Sequence, residues 1–165
     1  MKAPKRVPIR SYGISAVLLK EENGNTKVLL LRRTGATLRD EWCQVAGGIE
    51  KGETAWQAAL REIREETQLV PDRFYSADFC EQFYEPDREC VSLVPVFVGY
   101  VGPDARVVIN KEHSEFRWMN FEEADRVLPF AGQRKMLEHV RKEFVERPPT
   151  EWLRIRTESH KEDIS

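Results

Sequence analysis

The alternation of apolar and polar positions opens with two strand-like runs, SYGISAVLLK and TKVLLLRR, rich in β-branched and aliphatic residues. Between them, EENGN carries Asn23-Gly24, a pair that takes positive φ readily and predicts a tight hairpin. A loop over 34–41 follows, and EWCQVAGG leads into a helical pattern. There Trp56, Ala59, Leu60, Ile63 and Thr67 recur at i, i+3, i+4, i+7 and i+11, which predicts a helix from about Thr54 to Thr67 with a mostly apolar stripe packed on a core. Glu53 and Thr54 supply a carboxylate and a hydroxyl where the first-turn amides need acceptors. Farther on, FYSADFCEQFYE and CVSLVPVFVGYV read as longer strands and EFRWM as a short one, with FEEADRVL and GQRKMLEHVRKEFVE as C-terminal helices. This mixed order is consistent with an α/β chain built as an α/β/α sandwich. Pro148-Pro149 stops the last helix and separates a single domain over 1–147 from a tail over 148–165. The polar end TESHKEDIS is expected to be mobile, whereas Trp152, Leu153 and Ile155 leave two placements open, on the body or on a second subunit.

Composition narrows the class. With 165 residues, 41% of them hydrophobic, the chain suffices for one small domain with its own core. No apolar run reaches the length of a membrane span, and MKAPKRVPIR lacks the apolar stretch of a secretory signal, so a cytoplasmic protein without membrane contact is expected. A net charge of −2 offers no broad basic surface, which argues against long nucleic acids as partners. Cys43, Cys80 and Cys90 have no CxxC spacing and read as buried free thiols rather than a zinc or redox site.

The helix also carries candidate chemistry. Glu62, Glu65 and Glu66, at i, i+3 and i+4, project as neighbours and repel unless a cation lies among them. A solvated face with Arg61 paired to Glu65 is the plain alternative, because like-charge pairs on an exposed helix cost only roughly 0.2–0.5 kcal/mol each. The glycine-rich turn ahead of the helix favours a metal site: Gly47, Gly48 and Gly52 permit tight backbone geometry and expose carbonyls as hard oxygen ligands.

Gly47, Glu53, Arg61, Glu62, Ile63, Glu65, Glu66 and Leu69 together resemble the Nudix hydrolase signature: Gly, five residues, Glu, seven residues, then Arg-Glu-aliphatic-x-Glu-Glu-x-Gly-aliphatic. Gln68 stands where the signature has its last glycine, which touches the helix exit and leaves the acids complete. The resemblance implies the Nudix fold, a mixed sheet between helices, and attack of water on a phosphorus atom of a nucleoside diphosphate linked to another group. It implies Mg²⁺ as cofactor, with Mn²⁺ as a substitute, held mainly by Glu65 and Glu66 with Glu62 as a further ligand or base. The carbonyl of Ala46 would add a ligand, Glu53 would brace the loop or reach a metal through water, and Arg61 would orient the acids.

The segment EHSEFRWMNFEEA is similar to an EH-x-x-(aromatic)-x-W stretch of some family members, which favours Glu112 over Glu115 as one more acid and leaves His113 an ordinary loop residue. Of Arg32 and Arg33, strand alternation sends one inward to clamp a phosphate and leaves open which. Trp42 and Tyr84 are candidates for stacking on a base or pterin, with a core or rim role equally open. EW-C-QVAGGIEKGE, the EH segment and LPFAGQRKML look similar to bacterial proteins related to the dihydroneopterin triphosphate and deoxynucleoside triphosphate pyrophosphohydrolases, which implies a small nucleotide-like triphosphate cleaved to a monophosphate and pyrophosphate. A dinucleoside polyphosphate, RNA 5′-end or nucleotide-sugar hydrolase is the second enzymatic reading, and a catalytically silent nucleotide sensor is the reading from another class. Family members are often homodimers; these residues leave monomer and dimer both open.

Overall fold

The structure, a computed structural model, describes residues 1–157. The expectation of a mobile polar end therefore falls, apart from Thr157, outside the described residues. Eight strands form one mixed sheet: β1 (Ile9–Arg10), β2 (Gly13–Glu22), β3 (Asn25–Arg33), β4 (Trp42–Cys43), β5 (Val45–Gly48), β6 (Arg73–Glu85), β7 (Cys90–Val101) and β8 (His113–Met119). Three α-helices cover it: α1 (Ala55–Thr67), α2 (Phe121–Val127) and α3 (Ala131–Arg141), the last running on as a turn of π-helix over Lys142–Glu146.

Alternation along β2 divides the core into two layers. Ile14, Ala16 and Leu18 face α1 with Leu29, Leu31, Val45 and Ile63, while Val17 and Leu19 face α2 and α3 with Leu30, Tyr75, Met136 and Leu137. The sheet thus lies between helices on both faces, which is the expected α/β/α sandwich. β2 and β3 are joined at Asn23 and Gly24, with φ of 52° and 78°, the double positive φ of a hairpin turn whose twist matches its strands.

That hairpin sets up the site. The ladder between β2 and β3 ends at Leu19–Val28. Beyond it the two strands take different partners on the shared side: β5 pairs with β2 from Gly13 to Ala16, and β4 pairs with β3 at Leu31 and Arg32. Segment 42–48 thus fills a wedge in the sheet. EWCQVAGG, expected only to lead into the helix, forms two short strands because both flanking strands offer free edges there.

α1 begins as expected. Thr54 caps it, its Oγ1 accepting from the Gln57 amide at 3.3 Å while Gln57 Oε1 accepts from the Thr54 amide at 2.8 Å. Its buried face differs from the expected stripe: Ala58 and Glu66 are buried with Ala59, Ile63 and Thr67, whereas Trp56 and Leu60 are only partly covered. The helix lies on the wedge, so the face carrying Glu66 turns inward with the apolar one. At the exit Gln68 takes φ 58°, the left-handed conformation that the signature's glycine serves. Gln68→Gly should raise the unfolding free energy by up to about 1 kcal/mol, because relief of left-handed strain exceeds glycine's entropic cost. A urea melt with unchanged slope checks this.

Two further expectations are revised. Cys43 and Cys90 are buried, but Cys80, at the point where the β6–β7 register shifts, is exposed. In the tail, the Ile155 amide donates to the Phe74 carbonyl at 2.8 Å and Arg154 bridges to Tyr75, so Leu153 and Ile155 dock on the body while Trp152 stays 96% exposed. Among the described residues no helix is long and apolar enough to cross a membrane.

Candidate active site

The acids of α1 meet the glycine turn at the wedge. Gly47 has no room for a side chain, since a Cβ there would fall 2.1 Å from the Glu62 carboxylate. Gly52, at φ 89°, lets the loop turn back into the helix. Arg61 is the hub of the charges: its guanidinium donates to Glu53 at 2.8 Å, to Glu62 at 2.9 Å, to Glu65 at 3.3 Å and to the Gly48 carbonyl at 2.8 Å. Glu53 in turn accepts from the Glu50 amide at 2.7 Å, which ties loop to helix. These bonds, Arg61's first, hold the Glu53 carboxyl below its ordinary range.

Glu66 is different. It is 4% exposed, and its Oε2 is buried without a hydrogen-bond partner. Burial chiefly, then the charges of Glu62 and Glu112, push its carboxyl up to about 8, against Arg33 and the Ala46 amide. Glu62 is raised as well, by burial first, with the Arg61 hydrogen bond opposing. An orphaned carboxylate oxygen is costly in a folded protein, and a hard divalent cation would satisfy it. Among the described residues no three acids converge on one point, since Glu62 and Glu65 turn to Arg61. The donor set nonetheless fits such an ion: Glu66 is buried with an orphaned oxygen, and the carboxyls of Glu62 and Glu112 lie close enough to raise its proton affinity, all of them hard oxygen donors.

Two choices left open by alternation have geometric answers. Arg33 faces the acids, its charge acting on Glu66, Cys43 and His113. Arg32 faces away and pairs with Glu115 at 3.7 Å and Asp40 at 4.0 Å. The same division separates the two loop acids: Glu112 is felt by Glu62 and Glu66, while Glu115 lies between Arg32 and Arg117. Alternation parts the two arginines: Leu29 and Leu31 face α1, so Arg33 continues their side and Arg32 the other. The backbone of Glu112 is held by the Thr34 amide, which donates to its carbonyl at 3.0 Å. His113 is buried against Asn110, at 3.2 Å, and its burial lowers the imidazole's proton affinity below the ordinary value.

Trp42 and Tyr84 are not drawn to the acids. Trp42 packs against the α2/α3 layer with the Arg117 guanidinium 5.3 Å from its ring centre. Tyr84 lies near the tip of the β6–β7 hairpin, exposed and donating to Glu89. Cys43, which no motif singled out for this site, sits beside Glu66 and Arg33; burial lifts its thiol to about 11, so it stays protonated.

The NUDIX domain profile matches residues 10–147, which takes in the whole wedge, α1 and the loop of Glu112. The chain belongs to the Nudix family. Proteins similar to this chain differ in length and in what they are named for. An octanoyltransferase of Myxococcus xanthus is 35% identical over 81% of this chain, and the chain spans 37% of that protein's length. A Caenorhabditis elegans bis(5′-nucleosyl)-tetraphosphatase is 26% identical over 73% of this chain and 87% of the relative. Among solved Nudix structures, the E. coli dihydroneopterin triphosphate pyrophosphohydrolase superposes with a TM-score of 0.62 at 25% identity, covering 83% of this chain and 96% of that one.

Proposed function

We propose that this Nudix protein is a Mg²⁺-dependent pyrophosphohydrolase that cleaves a nucleoside, deoxynucleoside or pterin triphosphate to the monophosphate and pyrophosphate. The observation that carries the reading is Glu66: a buried carboxylate with an orphaned oxygen, pressed by two other acids in the wedge. Glu65, Glu66 and Glu62, with the Ala46 carbonyl and Glu112, would hold the ion, and Mn²⁺ would substitute. Bound there, the ion supplies charge neutralisation on the leaving pyrophosphate and a lowered pKa for water.

The chain's own residues do the rest. Arg61 holds Glu53, Glu62 and Glu65 in place, and Glu53 braces the loop. Arg33 reaches in from β3, where a guanidinium binds phosphate oxygens bidentately. Glu62 or Glu112 would accept a proton from attacking water, and burial raises the Glu62 carboxyl above its ordinary range. Support for the triphosphate class comes from the likeness to the E. coli pyrophosphohydrolase. The likeness to the tetraphosphatase favours a dinucleoside polyphosphate as the second reading.

Competition among a nucleoside triphosphate set, dihydroneopterin triphosphate, diadenosine tetraphosphate and a 5′-triphosphate RNA separates these readings. One small triphosphate is expected to show the highest kcat/KM. Tetraphosphate or RNA leading by about tenfold or more would replace the triphosphate assignment.

A further inference from the structure

A cavity of about 490 Å³ opens at the end of the sheet remote from the acids, within the roughly 300–1,000 Å³ range of small-molecule sites. Its floor is the α2/α3 face of the sheet, where Arg73, Tyr100 and Leu19 stand side by side on β6, β7 and β2. Val145, Pro148 and Pro149 wall it, because the chain leaves the π-helical turn there and the two prolines cannot carry a helix on across these strands. Leu19 lies five residues along β2 from Ile14, the register partner of Gly47, so about 17 Å separate this floor from the glycine turn of the acid site.

Tyr100 is fixed on three sides. Its hydroxyl donates to the Phe144 carbonyl at 2.6 Å, the Tyr75 ring meets it edge-on with centres 5.8 Å apart, and the Arg73 guanidinium lies 4.3 Å from its ring centre. Arg73 is exposed, and among the described residues no carboxylate or carbonyl accepts from its guanidinium. Stacking thus holds a guanidinium fork in place with its donors unpaired, the arrangement that suits a planar carboxylate or a phosphate. Arg147, with its side chain 71% exposed and paired to Glu143 at 3.5 Å, lines the same cavity.

Two acids on the rim leave this corner positive. Asp72, next to Arg73, turns by alternation to the other face, where a Cβ on Gly102 would come 3.6 Å from its carboxylate. Glu21 stands two strands away from Arg73, at least about 10 Å across the sheet. A surface stack of arginine on tyrosine explains the position of Arg73 alone. It does not explain why a second guanidinium and apolar walls meet it around an open space of this size.

We infer that this cavity is a second ligand site, separate from the acids, for a small organic oxyanion. Arg73 and Arg147 hold its phosphate or carboxylate group, and its apolar body lies against Leu19, Val145 and the two prolines. No residue of the acid site takes part, so the inference stands apart from the proposed hydrolysis.

Phenyl phosphate and benzoate are the probes, titrated into the full, isotope-labelled chain with EDTA present and followed by amide chemical shifts. At least one of them is expected to move the signals of Leu19, Arg73, Tyr100 and Val145 together, with a Kd of about 1 mM or tighter. Tighter binding of phenyl phosphate assigns the site to phosphorylated ligands, and tighter binding of benzoate assigns it to carboxylates; both support it. Arg73→Lys keeps the charge and loses the stacked fork, so it should weaken binding about tenfold, and Arg147→Ala should weaken it by a similar factor. Both positions are exposed, so the variants should stay folded, which the same spectra report; Arg147→Ala decides alone if Arg73→Lys does not fold. Wild-type affinity in a folded Arg73→Lys protein would overturn the inference. Shifts confined to the acid site, or no saturation by either probe below about 10 mM, would overturn it as well.

Discussion

Glu66→Gln should abolish Mg²⁺-dependent pyrophosphate release, on the order of 10³-fold in kcat or about 4 kcal/mol of transition-state stabilisation, while the protein stays folded. The amide keeps the shape of the carboxyl and one acceptor oxygen. It removes the negative charge from the acid that is most deeply buried and that alone has an orphaned oxygen among the described side chains. The fold should not suffer, because the substitution also removes a carboxylate that burial and two neighbouring acids destabilise. Steady-state assays beside thermal melts check both halves. Retained turnover in Glu66→Gln would show that this acid does not hold the ion; lost turnover with a collapsed melt would make its role structural.

The second large effect is a linkage between protons, divalent ion and stability. The Glu66 carboxyl titrates at about 8 in the fold and near its ordinary value of 4.5 when the chain is unfolded. The folded state therefore binds the proton more tightly. Its contribution to stability is fully present below about pH 4.5 and is lost as pH rises through about 8, a change on the order of 5 kcal/mol for a group so little exposed. Without divalent ions, Tm should fall between pH 6 and 8.5, and Glu66→Gln should flatten that slope. Mg²⁺ competes with the proton, so it should raise Tm more at pH 8.5 than at pH 6; saturation at 100 times Kd stabilises by about 2.7 kcal/mol. Equal Mg²⁺ shifts at both values, or a slope indifferent to the substitution, would contradict this assignment.

Local signals made much of the fold legible. Asn23-Gly24 fixed one hairpin because its turn needs two positive φ values, and the period of Trp56, Ala59 and Ile63 with the Thr54 cap fixed α1, since caps and periods act within a few residues. The wedge was hidden. Trp42–Cys43 and Val45–Gly48 are strands only because β2 and β3 separate after Val28 and expose edges to them, a consequence of contacts far apart in sequence. The burial of Glu66 follows from that wedge, and no period of α1 alone could reveal it. Alternation said that one of Arg32 and Arg33 turns inward; choosing Arg33 required knowing that Leu29 and Leu31 are the β3 residues that face α1. The buried hydrogen bonds that join Ser15, Gln44, Glu81 and Gln133 were hidden too, because these residues come from four separate segments.

Release of pyrophosphate against release of phosphate, measured with and without Mg²⁺ on the preferred triphosphate, tests the proposed reaction most directly. Pyrophosphate in equal amount to the monophosphate, only with the divalent ion present, is the expected result. Phosphate as the released product, or no turnover of any triphosphate by protein that demonstrably binds Mg²⁺, would contradict it.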